Sequence, residues 1–359
     1  MTNPRLIDSK LITLPCSDLK TVNSARVSMK VAHEEFTDPG DSKLINYLAS
    51  HAHWTPFSHN RDTIFFKVES RTIYNAFVNM LTVGLSIEEK ASMVIQDNIN
   101  INHDNYIAIK TSMYGWVNIA KKLMKTYMGE DGYTVELIMS VLYSKYPVST
   151  KAYFTDEEIT KYYSDYNYQV NLGILNAALP ILARRMFDIT LYETVPIFVA
   201  RQRFKAMVSN TYNEVSKRYV DEIPALYALT EWSMRPEKSI KQGAGLPHPD
   251  AVAITEEYEE FCTTVLAYYD KLVNEYRVAP EQARIVVPQS MMTEYYVTAN
   301  LEAVDRFIEQ RTYAGAQKEI RDLANITKSI VENIDNTMKS IVLTGRELTV
   351  NDYEYLGVF

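Results

Sequence analysis

The stretch VPIFVARQRFKAMVSNTYNEVSKRYV, residues 195–220, decides how this chain is interpreted. Its apolar first part is predicted as a strand that leads into Arg201, Arg203 and Lys205, and a second polar group follows. Arginine and lysine supply charge, while a serine hydroxyl and backbone N–H groups supply hydrogen bonds, so such a stretch can bind one small anion. The residues by themselves leave two interpretations open: a phosphate site, or a solvated charged segment after a strand.

The composition around this stretch is that of an ordinary globular protein. Of the 359 residues, 47% are hydrophobic and 23% are charged, which excludes a disordered or fibrous chain. No apolar run reaches the ~18 residues that a membrane span needs, and the N-terminus lacks an apolar signal segment. The net charge of −8 argues against a nucleic-acid partner. We therefore predict a cytoplasmic protein with a small-molecule ligand, no nucleic acid and no membrane contact.

Cysteine and histidine give no evidence of a metal centre. The two cysteines, Cys16 and Cys262, are too few for a disulfide scaffold or a thiolate zinc site. His51, His53 and His59 share one polar loop, but no carboxylate or thiol stands at ligand spacing from them. We predict no metal, and we interpret Cys16 as a packing residue because the sequence identifies no histidine partner for a nucleophile.

The hydrophobic pattern mixes strands and helices without a regular βαβ rhythm. Strand composition marks residues 63–70 and 188–200 and the short β-branched segment 283–288. Helical spacing marks residues 251–278, and Asn300 is a candidate N-cap for a helix that begins at the next residue. We therefore predict an α+β protein with a mixed or antiparallel sheet flanked by helices.

Three blocks of the chain resemble one family. Residues 195–219 are similar to the signature of the flavin-dependent thymidylate synthases, in which an apolar strand ends in Arg-Gln-aromatic-aromatic-Arg-His-Arg and Asn-Glu-x-Ser-x-Arg-Tyr follows. Residues 25–29 (ARVSM) and 43–59, with the sequence Pro-Phe-Ser-His, resemble its N-terminal helix and loop. Residues 281–324, which contain Ala-Gln-Lys-Glu-Ile-Arg, resemble its C-terminal block. Three blocks in the family's order are far more specific than one, and they imply its fold.

The resemblance also divides the chain. It covers residues 1–75 and 186–330, which we predict to form a thymidylate synthase-like catalytic core. Residues 76–185 would be a helical insertion, and residues 331–359 a C-terminal tail. The insertion carries no catalytic motif, so we interpret it as cover for the pocket or as an oligomer contact.

The resemblance implies an activity, its cofactors and an assembly. The family methylates dUMP to dTMP with a carbon from methylenetetrahydrofolate, while reduced FAD, recharged by NADPH, supplies the electrons. We therefore expect transfer of a one-carbon unit to C5 of dUMP or a close analogue, with FAD as the cofactor and with NADPH and the folate as co-substrates. The family is typically a homotetramer whose active sites are built from several subunits, and the same is expected here.

The match carries site residues over one by one. The nucleotide site would consist of Gln202, Arg203, Lys205, Glu214, Val215, Ser216, Lys217, Arg218, Arg284 and Arg311. The positions that match flavin contacts are His59, Lys205, Glu214, Asn300 and Arg306. Arg311 matches the catalytic arginine beside the uracil ring, where a fixed cation favours the N3-deprotonated form and raises the electron density at C5.

The sequence departs from the family's pattern mainly on the flavin side. Lys205-Ala206-Met207 stands where the family has Arg-His-Arg, and Glu302 stands in place of an arginine. A carboxylate near a pyrophosphate is unfavourable because like charges repel. Three hypotheses stay open: FAD-dependent methylation, hydroxymethyl transfer to a pyrimidine nucleotide with an altered or lost flavin role, and a non-catalytic nucleotide-binding homologue.

Overall fold

Two antiparallel β-sheets organise the computed structural model, which describes residues 6–68, 78–79, 93–126, 132–220, 222–236 and 244–344. The strands are β1 (Asp8–Ile12), β2 (Arg61–Lys67), β3 (Val94–Ile101), β4 (Asp104–Ser112), β5 (Asp188–Pro196), β6 (Asn210–Glu214) and β7 (Met292–Asn300). The first sheet has the order β1-β5-β7-β6, and the second has the order β2-β4-β3. The predicted class, α+β with an antiparallel sheet flanked by helices, is confirmed.

Helices cover both sheets. In chain order they are α1 (Asp18–Arg26), α2 (Gly40–Ser50), α3 (Met113–Thr126), α4 (Gly132–Lys145), α5 (Pro147–Tyr153), α6 (Asp156–Tyr162), α7 (Asp165–Ala178), α8 (Ile197–Arg203), α9 (Ala251–Asp270), α10 (Pro280–Ala283), α11 (Leu301–Thr312) and α12 (Lys318–Thr344). Short 3₁₀ turns join several of them, including Pro56–His59 and Arg184–Met186.

The first sheet is built around β7. This strand is buried along its whole length because β5 and β6 flank it on either side. Its pairing with β5 runs without interruption from Asp188 opposite Asn300 to Pro196 opposite Met292. Helices α11 and α12 cover the sheet with Leu301, Val304, Phe307, Ile320 and Leu323 from one continuous core. A rigid central strand therefore ends directly at the start of α11.

The second sheet packs against α3, α4 and α7 around the buried Trp116. Its strand β2 pairs with β4 on one edge only. On the other edge the Asn171 side chain of α7 accepts from the Phe65 N–H (3.0 Å) and donates to the Thr63 carbonyl (3.3 Å). One amide side chain thus satisfies two backbone groups that a further strand would otherwise pair.

A buried ionic contact joins the two sheets. Asp188, the first residue of β5, lies 2.5 Å from the Lys110 ammonium of β4 and 3.3 Å from the Arg61 guanidinium of β2. Burial acts to raise the pKa of Asp188, but the two cations outweigh it and lower that pKa. Burial also lowers the pKa of Lys110 to about 8, against the attraction of Asp188. The aspartate stays ionised, and it holds the two sheets together.

Several predicted elements are confirmed. Strands β2 and β5 occupy most of the two predicted strand segments. The predicted helix after Asn300 is α11, and the Asn300 side chain accepts from the Ala303 N–H at 2.8 Å as its N-cap. A long helix, α9, fills most of 251–278, and a π turn at Lys271–Glu275 follows it.

Other elements differ from the prediction. Residues 283–288, predicted as a strand, form the end of α10 and a 3₁₀ turn, because Pro280 starts a helix just before them. The described part of 76–185 contains the hairpin β3–β4 as well as helices, so the helical prediction there is incomplete. Helix α12 runs across the predicted boundary between 330 and 331, and residues 345–359 lie outside the described residues.

Candidate functional site

A basic cleft lies where β6 ends, and we define it by Glu214, Ser216, Lys217, Arg218 and Arg284. It consists of two adjoining pockets that share Lys217 and Arg284. The deeper pocket is also lined by Lys30, Val215 and the start of β7. Six of the predicted nucleotide-binding residues therefore meet in one place: Glu214, Val215, Ser216, Lys217, Arg218 and Arg284.

Backbone pairing explains why these side chains converge. Strand β6 pairs with β7, and the Val215 N–H donates to the Glu294 carbonyl at 2.9 Å, which extends the pairing by one residue. The Ser216 N–H then donates to the Ser28 carbonyl at 3.0 Å, so the chain leaves the sheet and turns over the N-terminal segment. Residues 216–218 consequently stand at the rim of the sheet and not on its face.

One ion pair and two hydrogen bonds to backbone carbonyls position the cations of the basic cleft. Arg218 Nε lies 2.7 Å from a Glu281 carboxylate oxygen, and Arg284 Nε donates to the Glu281 carbonyl at 3.2 Å. The buried Lys217 donates to the Glu222 carbonyl at 3.0 Å. The residues that line the two pockets include four cations, Lys30, Lys217, Arg218 and Arg284, and three carboxylates, Glu214, Glu281 and Glu294. The shallower pocket holds three of the cations and only Glu281, so that part of the cleft suits an anion.

Glu214 has a perturbed environment at the mouth of the deeper pocket. The residue as a whole is exposed, but β7 shields its carboxyl group. This burial raises the pKa of Glu214, and the Thr293 hydroxyl, which donates to it at 2.6 Å, and the nearby Arg284 offset the rise only in part. The carboxyl group can therefore hold or accept a proton closer to neutral pH than an ordinary glutamate.

Four of the predicted nucleotide-binding residues lie outside the basic cleft. Lys205 lines a separate cleft. Gln202 of α8 donates to Gln317 at 2.8 Å. Arg311 lies in the last turn of α11 and lines neither pocket of the cleft. Arg203 is only 1% exposed, and it pairs with the buried Glu193 at 3.1 Å. The structure thus places Arg203 in the core, because the carboxylate partner ten residues before it draws the cation inward.

His59 is enclosed rather than presented to a cleft. Its Nδ1 lies 2.7 Å from the Thr298 hydroxyl and its Nε2 lies 3.2 Å from Asn213 Oδ1. Burial, reinforced by repulsion from Lys20, lowers the pKa of His59 to about 3, despite the hydrogen bond to Asn213. The imidazole is therefore neutral at physiological pH and links β6 to β7.

A second cleft, the α11 cleft, opens at the N-terminus of α11. We define it by Arg185, Lys205, Asn300, Glu302 and Arg306, and it contains three of the predicted flavin-contacting residues. Its apolar wall consists of residues 93–95 and the exposed side chains of Met207 and Val208, which are 74% and 66% exposed. The cleft thus joins a helix N-terminus and three cations to an apolar wall.

The α11 cleft fits an anionic cofactor that carries a flat ring. A helix N-terminus and arginine or lysine side chains favour phosphate groups, and an apolar wall favours a ring system. Glu302 is the single carboxylate among the residues that line this cleft, and it reduces the positive charge. The residues present are thus compatible with FAD.

Sequence reasoning missed Arg185 and the wall at 93–95. Arg185 lies just before β5 and outside the three motif blocks, while the wall belongs to β3 and the residue before it. Their position depends on which strands pair, and a local sequence pattern does not show this.

Within the described ranges, no group of three or more histidine, cysteine, aspartate or glutamate residues is arranged to hold a metal ion. Nor does any helix of the same ranges have the length and apolarity to cross a membrane.

Sequence comparisons identify relatives of this chain. A family model described as "Thymidylate synthase complementing protein" matches residues 183–335. The flavin-dependent thymidylate synthase of Aquifex aeolicus (strain VF5) is 29% identical over 337 residues, which are 92% of this chain and 99% of that protein. This match extends over nearly the whole length of both chains.

A second relative covers less of the chain at higher identity. The flavin-dependent thymidylate synthase of Thermosipho melanesiensis is 32% identical over 158 residues, which are 43% of this chain and 67% of that protein. A crystal structure of a UMP/dUMP methylase, PolB, from Streptomyces cacaoi bound with 5-Br dUMP covers 95% of this chain and 96% of its own, with 16% identity and a TM-score of 0.38. The sequence matches decide the assignment: this chain belongs to the family of the flavin-dependent thymidylate synthases.

Proposed function

We propose that this enzyme transfers a one-carbon unit from methylenetetrahydrofolate to C5 of dUMP and forms dTMP in an FAD- and NADPH-dependent reaction. The observation that carries the proposal is the convergence of six predicted nucleotide-binding residues on the basic cleft. An enzyme that modifies dUMP at C5 is also what the family assignment supports. With these reactants, we place the reaction in the cytoplasm.

In this proposal the basic cleft binds the nucleotide by its phosphate. Arg218 and Arg284 supply charge, the Ser216 hydroxyl supplies a hydrogen bond, and Lys217 adds a cation that is anchored on a backbone carbonyl. The Arg218–Glu281 pair is exposed, so a phosphate can compete for the guanidinium at little cost. Ser216 acts as a hydrogen-bonding group and not as a nucleophile, because none of the contacts described for its hydroxyl involves a base.

Arg311 is the residue that we assign to the chemical step. A guanidinium beside the uracil ring stabilises the N3-deprotonated form and raises the electron density at C5, the carbon that must attack the one-carbon unit. When bound, the reduced flavin supplies the electrons that convert the transferred carbon to a methyl group. Glu214, with its raised pKa, is the residue of the deeper pocket best suited to hold a proton near the reacting ring.

The position of Arg311 favours a site shared between subunits. Within one chain, Arg311 is in the last turn of α11 and lines neither pocket of the basic cleft. A homotetramer in which α11 of one subunit approaches the basic cleft of another would bring the predicted residues together. We therefore propose a homotetramer with shared active sites.

Hydroxymethyl transfer is the second candidate, and the α11 cleft is the observation in its favour. Glu302, Ala206 and Met207 line this cleft where the family has cationic or imidazole side chains. Weaker flavin binding would leave the transferred carbon at the hydroxymethyl level. Family membership favours either of these two enzymatic activities over a non-catalytic nucleotide-binding role.

Product analysis tests the proposal. Purified protein is incubated with dUMP, methylenetetrahydrofolate, FAD and NADPH, and the mass of the nucleotide product is measured by mass spectrometry. We expect the mass of dTMP; a hydroxymethyl mass would establish the second candidate, and unchanged dUMP would contradict both.

A thermal-shift measurement tests the role of Arg284 in nucleotide binding independently of turnover. Saturating dUMP should raise the melting temperature of the wild type, because a ligand that binds only the folded state stabilises it. Arg284→Ala should lose most of this shift, while the control Arg235→Ala, at an exposed position outside both clefts, should keep it. Equal shifts in the two variants would remove Arg284 from the nucleotide site.

A further inference from the structure

Two neighbouring arginines of the turn before β5 have different environments. Arg184 is held by two carboxylates, with Nε 2.6 Å from Asp305 and Nη1 2.5 Å from Asp335. Arg185 is exposed, and its side chain lines the α11 cleft. Its one described hydrogen bond goes to the Ile95 carbonyl, from Nη2 at 3.1 Å. Arg184 therefore fastens α11 and α12 to the turn, while the charge of Arg185 is not matched by a described carboxylate partner.

The backbone contact holds Arg185 in place without neutralising it. Strand β3 is an edge strand of the second sheet, so its carbonyls are not all used by β4. A guanidinium has five N–H donors, and the bond to Ile95 uses one of them. Fixing an arginine in this way lowers the entropy that is lost when its other donors bind a ligand.

The neighbours of Arg185 in the α11 cleft are also cationic. Lys205 and Arg306 line the same cleft, and Glu302 is the one carboxylate among its lining residues. Asn300 caps α11, so the partial positive charge of that helix N-terminus faces the same space. Three cations outweigh one carboxylate, and Arg185 supplies a positive charge at a position outside the motifs of the family.

We propose that Arg185 binds the phosphate groups of the cofactor in the α11 cleft, together with Lys205 and Arg306. The proposal rests on the proposed function, in which FAD is the cofactor, and on the fit of the α11 cleft to an anionic cofactor with a flat ring. It assigns to the second sheet a part in cofactor binding, because β3 positions the arginine. It also accounts for a cleft that stays cationic although Glu302 replaces an arginine of the family pattern.

A comparison of two flavins tests the proposal. FAD carries a pyrophosphate and riboflavin has no phosphate, so a residue that binds phosphate affects only the first. We measure the dissociation constant of each flavin by quenching of its fluorescence on titration with the full-length protein. For Arg185→Ala we expect FAD to bind about tenfold more weakly or worse, with riboflavin within about twofold of the wild type.

Two further variants sharpen the result. Arg185→Lys keeps the charge and should recover part of the FAD affinity. Arg235→Ala removes an exposed arginine outside the cleft and should leave both constants unchanged. If FAD binds Arg185→Ala as tightly as the wild type, or if both flavins weaken equally, the phosphate role of Arg185 is overturned. If the wild type binds neither flavin, the flavin dependence in the proposed function fails as well.

Discussion

His59 shows at the residue scale how the fold uses a side chain that the sequence assigned to the flavin. The imidazole lies inside the first sheet between Thr298 and Asn213, and it is fully buried. Its direct effect in the described chain is to align β6 with β7. Because β6 leads into the basic cleft, His59 is a positioning residue for that cleft.

The lowered pKa of His59 predicts a pH dependence of stability. The unfolded chain binds a proton at His59 below about pH 6.5, whereas the folded chain resists it down to a pKa of about 3. The free energy of unfolding should therefore fall as the pH is lowered through this window, by about 1.4 kcal/mol per pH unit from this group. His59→Gln should lose that part of the slope.

Urea unfolding at several pH values between 4 and 7 measures this slope. The control is His53→Gln, because His53 is exposed in the same polar loop. We expect the control to keep the pH dependence of the wild type. A His59→Gln variant with the wild-type slope would contradict the neutral buried imidazole.

Among the ion pairs of the described residues, Arg203 and Glu193 form the most deeply buried one. Both are at most 1% exposed, and the guanidinium also packs on the Phe307 ring at 4.3 Å. Glu193→Gln should lower the free energy of unfolding by about 3–5 kcal/mol, because it leaves a buried cation without its counterion. Urea denaturation measures this loss.

The double variant Arg203→Met/Glu193→Leu distinguishes the loss of a counterion from a general disruption of core packing. Apolar side chains of similar size remove both charges, so we expect recovery of a large part of the lost stability. Lys328→Ala, which opens an exposed pair with Glu332, should cost less than about 1 kcal/mol. A double variant less stable than Glu193→Gln would show that the charges are not what the core requires.

At the element scale, α7 completes the second sheet through Asn171. The side chain binds the backbone of both Thr63 and Phe65 and is itself 4% exposed. Asn171→Leu would leave a buried N–H and a buried carbonyl without partners, at a cost of about 2–5 kcal/mol. Asn167→Leu, on the same helix with a single long contact to Glu136, should cost much less. Thermal unfolding of the two variants checks this, and equal losses would contradict the edge role.

The individual strands and helices show what sequence patterns could and could not predict. Strand β5 was predictable because five of its nine residues, DITLYETVP, are β-branched or aromatic, and α11 was predictable from its N-cap and its apolar spacing. The hairpin β3–β4 was missed because β3, with the sequence VIQDNINI, has too many polar residues to be predicted as a strand, and its pairing with β4 overrides that composition. The strand predicted at 283–288 failed because a proline at 280 fixes a helical start.

The residues of the two clefts also differ in how far the sequence could predict them. Residues 214–218 are contiguous, so one motif sufficed to predict most of the basic cleft. Arg185 and the wall at 93–95 come together only through the packing of the two sheets, and local sequence contains no signal for that. Arg203 is the opposite case: its motif position predicts a ligand contact, whereas the structure places its side chain in the core beside Glu193, and the ligand contact stays a prediction.

At the scale of the whole molecule, the shared site predicts complementation between inactive variants. Arg284→Ala and Arg311→Ala should each be inactive. Mixed subunits should regain activity if one site takes Arg284 from one chain and Arg311 from another, up to about a quarter of the wild type for random pairing in equal amounts. Unfolding and refolding the mixture, followed by a turnover assay, measures the recovery.

The control for this mixture is each variant refolded alone, which should stay inactive. A mixture that stays inactive although its subunits have exchanged, as shown by mass spectrometry of the assembly, would place both arginines in one chain's site. Sedimentation of the wild type should show a tetramer, and a monomer with full activity would contradict the shared site.

The order of the strands has a consequence for synthesis on the ribosome. Strands β2, β3 and β4 leave the ribosome close together, and among the described strands they pair only with one another. Strand β1 is made first, yet it pairs with β5 and so waits until the whole second sheet and its helices have emerged. The second sheet can therefore fold while β1 is still unpaired, and the Asp188 contact then docks β5 onto a finished surface. In this order of events, the hairpin β3–β4, which carries no catalytic motif, forms with β2 the template on which the first sheet is assembled.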